Sequence, residues 1–360
     1  MKIAHFAPFA PNRSGLYEAA RDMCAADDRA GHEVRFVDVG LTVNGQRQPS
    51  VVEQPGLPDD QRHDDRAGYD LRPVPYTEAL DADVLIAHSG MPENWIAWGS
   101  KPSPIIWIQH GRPLACFRPE RAGAHRAYSD VAELAARSRV RKVVTFWPEH
   151  VPFWRELVPP DKLVCLDAPP IDERRFRPDG KMVSMSDAER GRWCVLVADA
   201  SREDVDTFEV LHALILAAER VSGLKVHVLG AQFPLGAMER VLYALKKRGA
   251  LAEPVRSRVP NMEEWYRLAG LVVTPHRIAT RTMAEALCCG TPVVAAQPCR
   301  WTPYTGIPED VESMATAIAC AIEDLRQNQP AVREATLATA AAFRLEHYEQ
   351  AMQGVYDAVL

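Results

Sequence analysis

Hydrophobic and polar positions along the chain alternate between two kinds of pattern. Strands are predicted at Lys2–Ala7, Glu33–Val39, Asp83–Ala87, Pro104–Ile108, Lys142–Phe146 and Lys162–Leu166, and Asp83–Ala87, Pro104–Ile108 and Lys142–Phe146 are continuous apolar runs. Runs of this kind are expected for parallel strands covered on both faces. Between the first two strands, Leu16, Ala19, Ala20, Met23 and Ala26 recur at helical spacing over Leu16–Ala30, and Gly31 stands where a helix would be capped. Strand, loop, helix, strand at this length predicts the opening of a parallel sheet. A second series follows, with strands predicted at Cys194–Ala198, Lys225–Leu229, Leu271–Thr274 and Pro292–Ala295. Helices are expected at about 204–221, 235–248, 280–289 and 308–326, and an alanine-rich helical stretch over about 331–358.

Two stretches lack a period. Residues 41–80 are polar and proline-rich and read as a long loop or insertion. Asp167–Glu189 is rich in Pro, Asp, Arg and Ser and reads as an interdomain linker. The expected organisation is therefore an α/β domain over 1–168, a second over 169–330, and a terminal helix over 331–360 that packs back on the first domain. Two doubly wound parallel sheets in tandem bind ligands beyond the carboxyl ends of their strands, so the expected active site is an interdomain cleft.

Length and composition agree with this plan and narrow it. The 360 residues suit two α/β domains. A hydrophobic share of 47% with 25% charged residues excludes disordered and fibrous classes. The net charge of −6 argues against a wholly electrostatic nucleic-acid binder. No apolar stretch reaches the ~18 residues of a membrane span, and the N-terminal run is too short for a signal peptide. The eight cysteines form no C-x-x-C pair, which points to reduced buried thiols and a cytoplasmic setting.

The chemistry concentrates in Thr274–Ala296, a strand, loop, helix, turn and strand. The helix N-terminus would offer free N–H groups to a phosphate, with Arg277 and Arg281 beside it. Glu285, one turn in, could accept hydrogen bonds from two ribose hydroxyls. The alternative is a solvated helix residue before an ordinary turn at Gly290-Thr291-Pro292. The run Met283-Ala284-Glu285-Ala286-Leu287-Cys288-Cys289-Gly290-Thr291-Pro292-Val293-Val294-Ala295 resembles the donor-site motif of the family 4 glycosyltransferases (glycosyl transferases group 1). The resemblance implies a GT-B fold: two Rossmann-like doubly wound parallel-sheet domains with an interdomain cleft. It implies that Glu285 holds the nucleotide ribose. The chain departs from the family pattern at its first glutamate, replaced by Arg277, and at the loop glycines, replaced by Ala279 and Thr280.

Further matches extend over nearly the whole chain. Ser14-Gly15 followed by Gly31-His32-Glu33-Val34 resembles the family's start. Asp167–Phe176 resembles its interdomain signature, and Cys194–Ala213 its second-domain opening. There Arg202 would grip the diphosphate, while Asp206 stands where the family carries a lysine. His110, after the strand Ile105–Ile108, takes the place of a residue that contacts the transferred sugar, and is the catalytic candidate. The expected donor-binding set is Gly15, Arg202, Arg277, Arg281, Thr282, Met283 and Glu285. The expected acceptor-side set is Ser14, His88, Arg112 and Arg118.

The donor expected from the resemblance is a nucleotide sugar, UDP-sugar foremost, with no separate cofactor. Retention of configuration is implied. Asp81-Ala82-Asp83 has the spacing of an Asp-x-Asp metal motif but precedes an apolar strand, so no metal is expected. Between 112 and 142, eight cations face three carboxylates, a local excess of five. That is either a solvated helix face or a patch for a phosphate-bearing acceptor: a modified DNA base, a lipid-linked sugar or a phosphorylated glycan. Trp95, Trp98, Trp107 and Phe117 are near it in sequence and could stack on a sugar or base. Competing classes are a GT-B epimerase and a non-catalytic nucleotide-sugar-binding protein. An oxidoreductase ranks low, because no Gly-x-Gly-x-x-Gly follows a predicted strand.

Overall fold

The computed structural model describes the chain apart from residues 12–13, 41, 44–45, 48–49, 51, 53, 55–57, 59–60, 80, 89–102, 111–127, 199–206, 231–237, 257–258 and 277–278, and apart from the side chains of 42–43, 46–47 and 128–131. The apolar runs become parallel strands. In the first unit these are β1 (Lys2–Ala7), β2 (Glu33–Asp38), β3 (Pro73–Val74), β4 (Val84–His88), β5 (Ile105–Gln109), β6 (Val140–Thr145) and β7 (Leu163–Cys165). They form one sheet in the order β3-β2-β1-β4-β5-β6-β7. β4 and β5 are buried along their whole length, as continuous apolar strands must be when helices cover both faces.

The second unit has a four-stranded parallel sheet of β8 (Trp193–Val197), β9 (Leu224–Val228), β10 (Leu271–Thr274) and β11 (Val293–Ala295), in the order β9-β8-β10-β11. Its core gathers Val195, Val226 and Val273 from the strands with Leu211 and Leu214 from one helix and Ile318 from another.

The chain divides into Met1–Asp172 with Ala342–Leu360, and Glu173–Ala341. The last helix, Leu345–Asp357, packs in the first unit against the helix α1, Gly15–Arg29. Ile171 N–H donates to Phe343 O at 2.8 Å, fastening the outgoing and returning segments together. Arg21 of α1, wholly buried, locks the same region. Its Nε is 3.0 Å from Asp64 and its Nη1 3.5 Å from Asp172, and Tyr17 donates to the same Asp64 carboxylate at 2.8 Å.

The helical segment Val311–Ala340 is two helices joined at Asn328, close to the expected end near 326 and restart near 331. It kinks at Asn328, whose φ of −154° is not helical, and Asn328 Oδ1 accepts from Ala331 N–H at 3.2 Å. Pro330 supplies no N–H of its own, so the side chain acts as a cap for the turn that restarts there. Among the described residues, no helix is long and apolar enough to cross a membrane.

Each sheet has one place where the strand order reverses. In the first it lies between β1 and β4, in the second between β8 and β10. Chains leaving such neighbours go to opposite faces and open a crevice at the carboxyl ends, where α/β sheets bind ligands.

Candidate functional site

The second unit's reversal point is flanked by the segments after β8 and after β10. The latter leads into a helix at Arg281–Cys288, opened by Thr280 in extended conformation. The N–H groups of Met283 and Ala284 close the first turn onto Thr280 O at 3.1 and 3.2 Å. Thr282 N–H precedes that turn and has no place in the intrahelical ladder. Thr280 Oγ1 is buried and makes no hydrogen bond.

Glu285 is 8% exposed and is held at both oxygens. Arg281 Nε donates to Oε1 at 2.7 Å, and Tyr266 OH donates to Oε2 at 3.2 Å. Arg281 also reaches over the Phe176 ring, at 6.0 Å, while Arg175 covers the same ring at 4.7 Å and pairs with Glu263 at 3.0 Å. A cation in a helix's first turn opposes the helix dipole. Arg281 is therefore poorly placed for helix stability and well placed to meet an anion.

The helix ends in a complete Schellman motif. Gly290 N–H donates to Leu287 O at 2.9 Å and Thr291 N–H to Ala286 O at 3.0 Å, with Gly290 at φ +75°. An added Cβ there would lie 3.1 Å from Arg333 Nε, so both conformation and space call for glycine. Thr291 Oγ1 donates to Tyr266 O at 2.6 Å, tying the turn to the residue that orients Glu285.

The first unit's reversal point holds a different construction. His5 lies inside β1, His88 ends β4, and His110 follows β5. His5 Nε2 is 2.9 Å from Asp27 Oδ2, His5 Nδ1 is 3.0 Å from His88 Nε2, and His88 Nδ1 is 2.9 Å from His110 Nε2. Neighbouring rings stack at 24° and 20°. Asp27 Oδ1 accepts from Tyr356 OH at 2.8 Å, so the returning C-terminal helix completes the line. Burial pushes the His88 pKa well down, with His110 and His5 adding to the effect, which keeps that ring neutral. The backbone of His110 accepts from Trp147 Nε1 at 3.3 Å.

No protein-family model matches the chain, and no curated protein matches it. Solved structures do. HepE from Anabaena, determined with UDP and glucose, is 14% identical with a TM-score of 0.66, over 99% of this chain and 100% of that one. Sucrose-phosphate synthase from Thermosynechococcus elongatus is 13% identical with a TM-score of 0.66, over 99% and 98%. An α-glucosyltransferase determined with UDP and a 13-mer DNA containing an HMU base is 15% identical with a TM-score of 0.59, over 100% and 99%. The fold is GT-B.

Within this GT-B chain, Glu285, Arg281, Thr282 and Met283 are gathered at the head of one helix. The Met283 side chain is fully buried in the core and its N–H is bonded to Thr280. Ser14 caps α1, its Oγ accepting from Tyr17 N–H at 3.4 Å, and Gly15 opens that helix in free space. His88 and His110 stand in direct contact. Arg202, Asp206, Arg277, Arg112 and Arg118 lie outside the described residues, as do Trp95, Trp98 and Phe117.

Asp81 pairs with Lys2 at 2.6 Å and Arg35 at 2.7 Å, and Asp83 accepts from Lys2 N–H at 2.9 Å. The Asp-x-Asp spacing thus belongs to an ion-paired turn at the amino end of β4, opposite the crevice. His5, Asp27, Tyr356 and Tyr266 carry geometry that motif reading passed over.

Proposed function

We propose that the protein is a glycosyltransferase that moves a sugar from a nucleotide donor, UDP-sugar foremost, to a hydroxyl acceptor. The observation that carries this reading is the Glu285–Arg281–Tyr266 cluster at the head of a helix, beside the reversal point of the second GT-B sheet. The Glu285 carboxylate is an acceptor and suits ribose hydroxyls. The helix N-terminus and Arg281 suit the diphosphate, and they would stabilise it as it leaves. Arg202 and Arg277 belong to the same donor set, and Gly15 and Ser14 to the crevice of the first unit. The neighbours determined with UDP support the donor class.

The likeness to family 4 extends the proposal to a retaining reaction that needs no metal. The Asp-x-Asp carboxylates are spent on Lys2 and Arg35, which agrees with a donor site built from arginines and N–H groups. For the acceptor we propose a phosphate-bearing molecule, met by Arg112 and Arg118. A modified DNA base, a lipid-linked sugar and a phosphorylated glycan share that chemistry. The fold neighbour determined with DNA favours testing DNA first.

The experiment is incubation of the full chain with each of several nucleotide sugars and with hydroxymethylated DNA, lipid-linked sugars or phosphorylated glycans, followed by mass analysis. A mass increase of one sugar on an acceptor is expected. An isomerised donor without acceptor product would replace transfer by epimerisation. Binding without turnover of any donor would leave a non-catalytic binding protein.

A further inference from the structure

The line Asp27–His5–His88–His110 leaves few choices for its protons. An ionised carboxylate only accepts, so His5 Nε2 must carry a proton toward Asp27 Oδ2. Suppose His5 is neutral. Its Nδ1 then accepts from His88 Nε2–H, His88 Nδ1 accepts from His110 Nε2–H, and His110 keeps its lone pair on Nδ1. Now add one proton at His110 Nδ1. The Nε2 proton of His110 passes to His88 Nδ1, and the Nε2 proton of His88 passes to His5 Nδ1. The line has gained one proton, carried as imidazolium on His5 against Asp27. Every ring between has exchanged donor for acceptor.

We propose that these residues form a one-proton relay, in which Asp27, His5 and His88 position His110 and set whether its Nδ1 accepts or donates a hydrogen bond. This rests on the glycosyltransferase reading only for what His110 faces, a hydroxyl of acceptor or sugar. The relay itself stands on geometry. His5 and Asp27 are 0% and 1% exposed, so no solvent competes for their bond. Among the described residues His88 is bonded to two imidazoles and to no carboxylate, whereas His5 is bonded to Asp27, so the added charge is compensated at His5. The other titratable groups that face Asp27 are Cys24 on its own helix, Tyr69, and Tyr348 and Tyr356 from the terminal helix, with His32 edge-on to Tyr356. Burial raises the pKa of each of the three tyrosines and of Cys24, so they stay neutral beside Asp27, the carboxylate bonded to His5.

The test is histidine-selective ¹⁵N NMR of the full chain, which reads the tautomer of each ring. At alkaline pH His5, His88 and His110 should all carry the proton on Nε2. On acidification all three should gain Nδ1 protons at one shared midpoint. His88→Phe keeps a stacked ring and cuts both bonds, so His110 should then show mixed tautomers and titrate alone. Asp27→Asn keeps the shape and removes the counter-charge, so the shared midpoint should move to lower pH. Separate midpoints in the wild type would overturn the relay, and so would a His110 that behaves identically in wild type and in whichever variant folds.

Transfer is measured beside it. His88→Phe should slow turnover on the order of 100-fold with donor KM unchanged, and Asp27→Asn should move the acid limb with the NMR midpoint. A wild type whose rings behave as described but that transfers no sugar would sink the glycosyltransferase reading and leave the relay standing.

Discussion

The two units place polar machinery at equivalent points of their sheets and build it from opposite materials. The first lines up three imidazoles, each holding the next, and ends them on one buried carboxylate. The second sets an arginine at the positive end of a helix and restrains it with Glu285. The first arrangement suits moving or refusing a proton. The second suits a ligand that arrives with negative charge. A transfer reaction needs both, and the GT-B plan supplies a reversal point for each.

The sharpest way to break the comparison is to remove what holds the first unit together. Arg21→Ala takes the wholly buried guanidinium away from Asp172 and from Asp64, which keeps Arg66 at 2.7 Å, and about 3 kcal/mol of stability should go. Urea unfolding read by tryptophan fluorescence checks this. A loss under about 1 kcal/mol would mean that the buried pairs matter little.

In the second unit, Glu285→Ala should weaken UDP binding roughly 10- to 100-fold, the worth of hydrogen bonds to a charged group, with the circular dichroism spectrum unchanged. Tyr266→Phe removes one of the two bonds that orient Glu285 and should cost less.

Acid tests a buried histidine in each unit. His227 packs against Trp265 in the second unit, and burial lowers its pKa. Below about pH 6.5 the unfolded chain takes up a proton there that the folded chain refuses. Stability then falls by up to about 1.4 kcal/mol per pH unit until the folded-state value is passed. In the first unit burial lowers the His88 pKa as well, so acid costs stability there too. Unfolding midpoints at pH 7 and pH 5 should therefore differ less in His227→Gln than in the wild type. The smallest effect is expected from Asp81→Ala, an exposed ion pair. It should leave both the melting temperature and the response to divalent cations as they are.

Much of this was legible in the chain. Ten strands are legible to within one or two residues, β4 and β5 most plainly, because strands buried on both faces print themselves as unbroken apolar runs. Glu285 was legible too, since its motif lies in one stretch from helix to Schellman turn to strand. The relay was not. His5 sits in an apolar strand and reads as a core residue, and Asp27 in the last turn of α1 reads as solvated. Asp27 meets Tyr356 across 329 residues. No local pattern spans that distance, and the parallel sheet and the returning terminal helix are what bring those groups together. Tyr266 escaped for the same reason on a smaller scale: it lies 19 residues before its carboxylate on a separate helix.

The central claim is that a nucleotide seats against Glu285 at the head of the Arg281–Cys288 helix. Calorimetric titration of the full chain with UDP, in the wild type and in Glu285→Ala, tests it most directly. The account predicts a saturable isotherm with one site in the wild type and an affinity at least about tenfold weaker in the variant. An absence of binding in the wild type, or equal affinity in the two proteins, would contradict it.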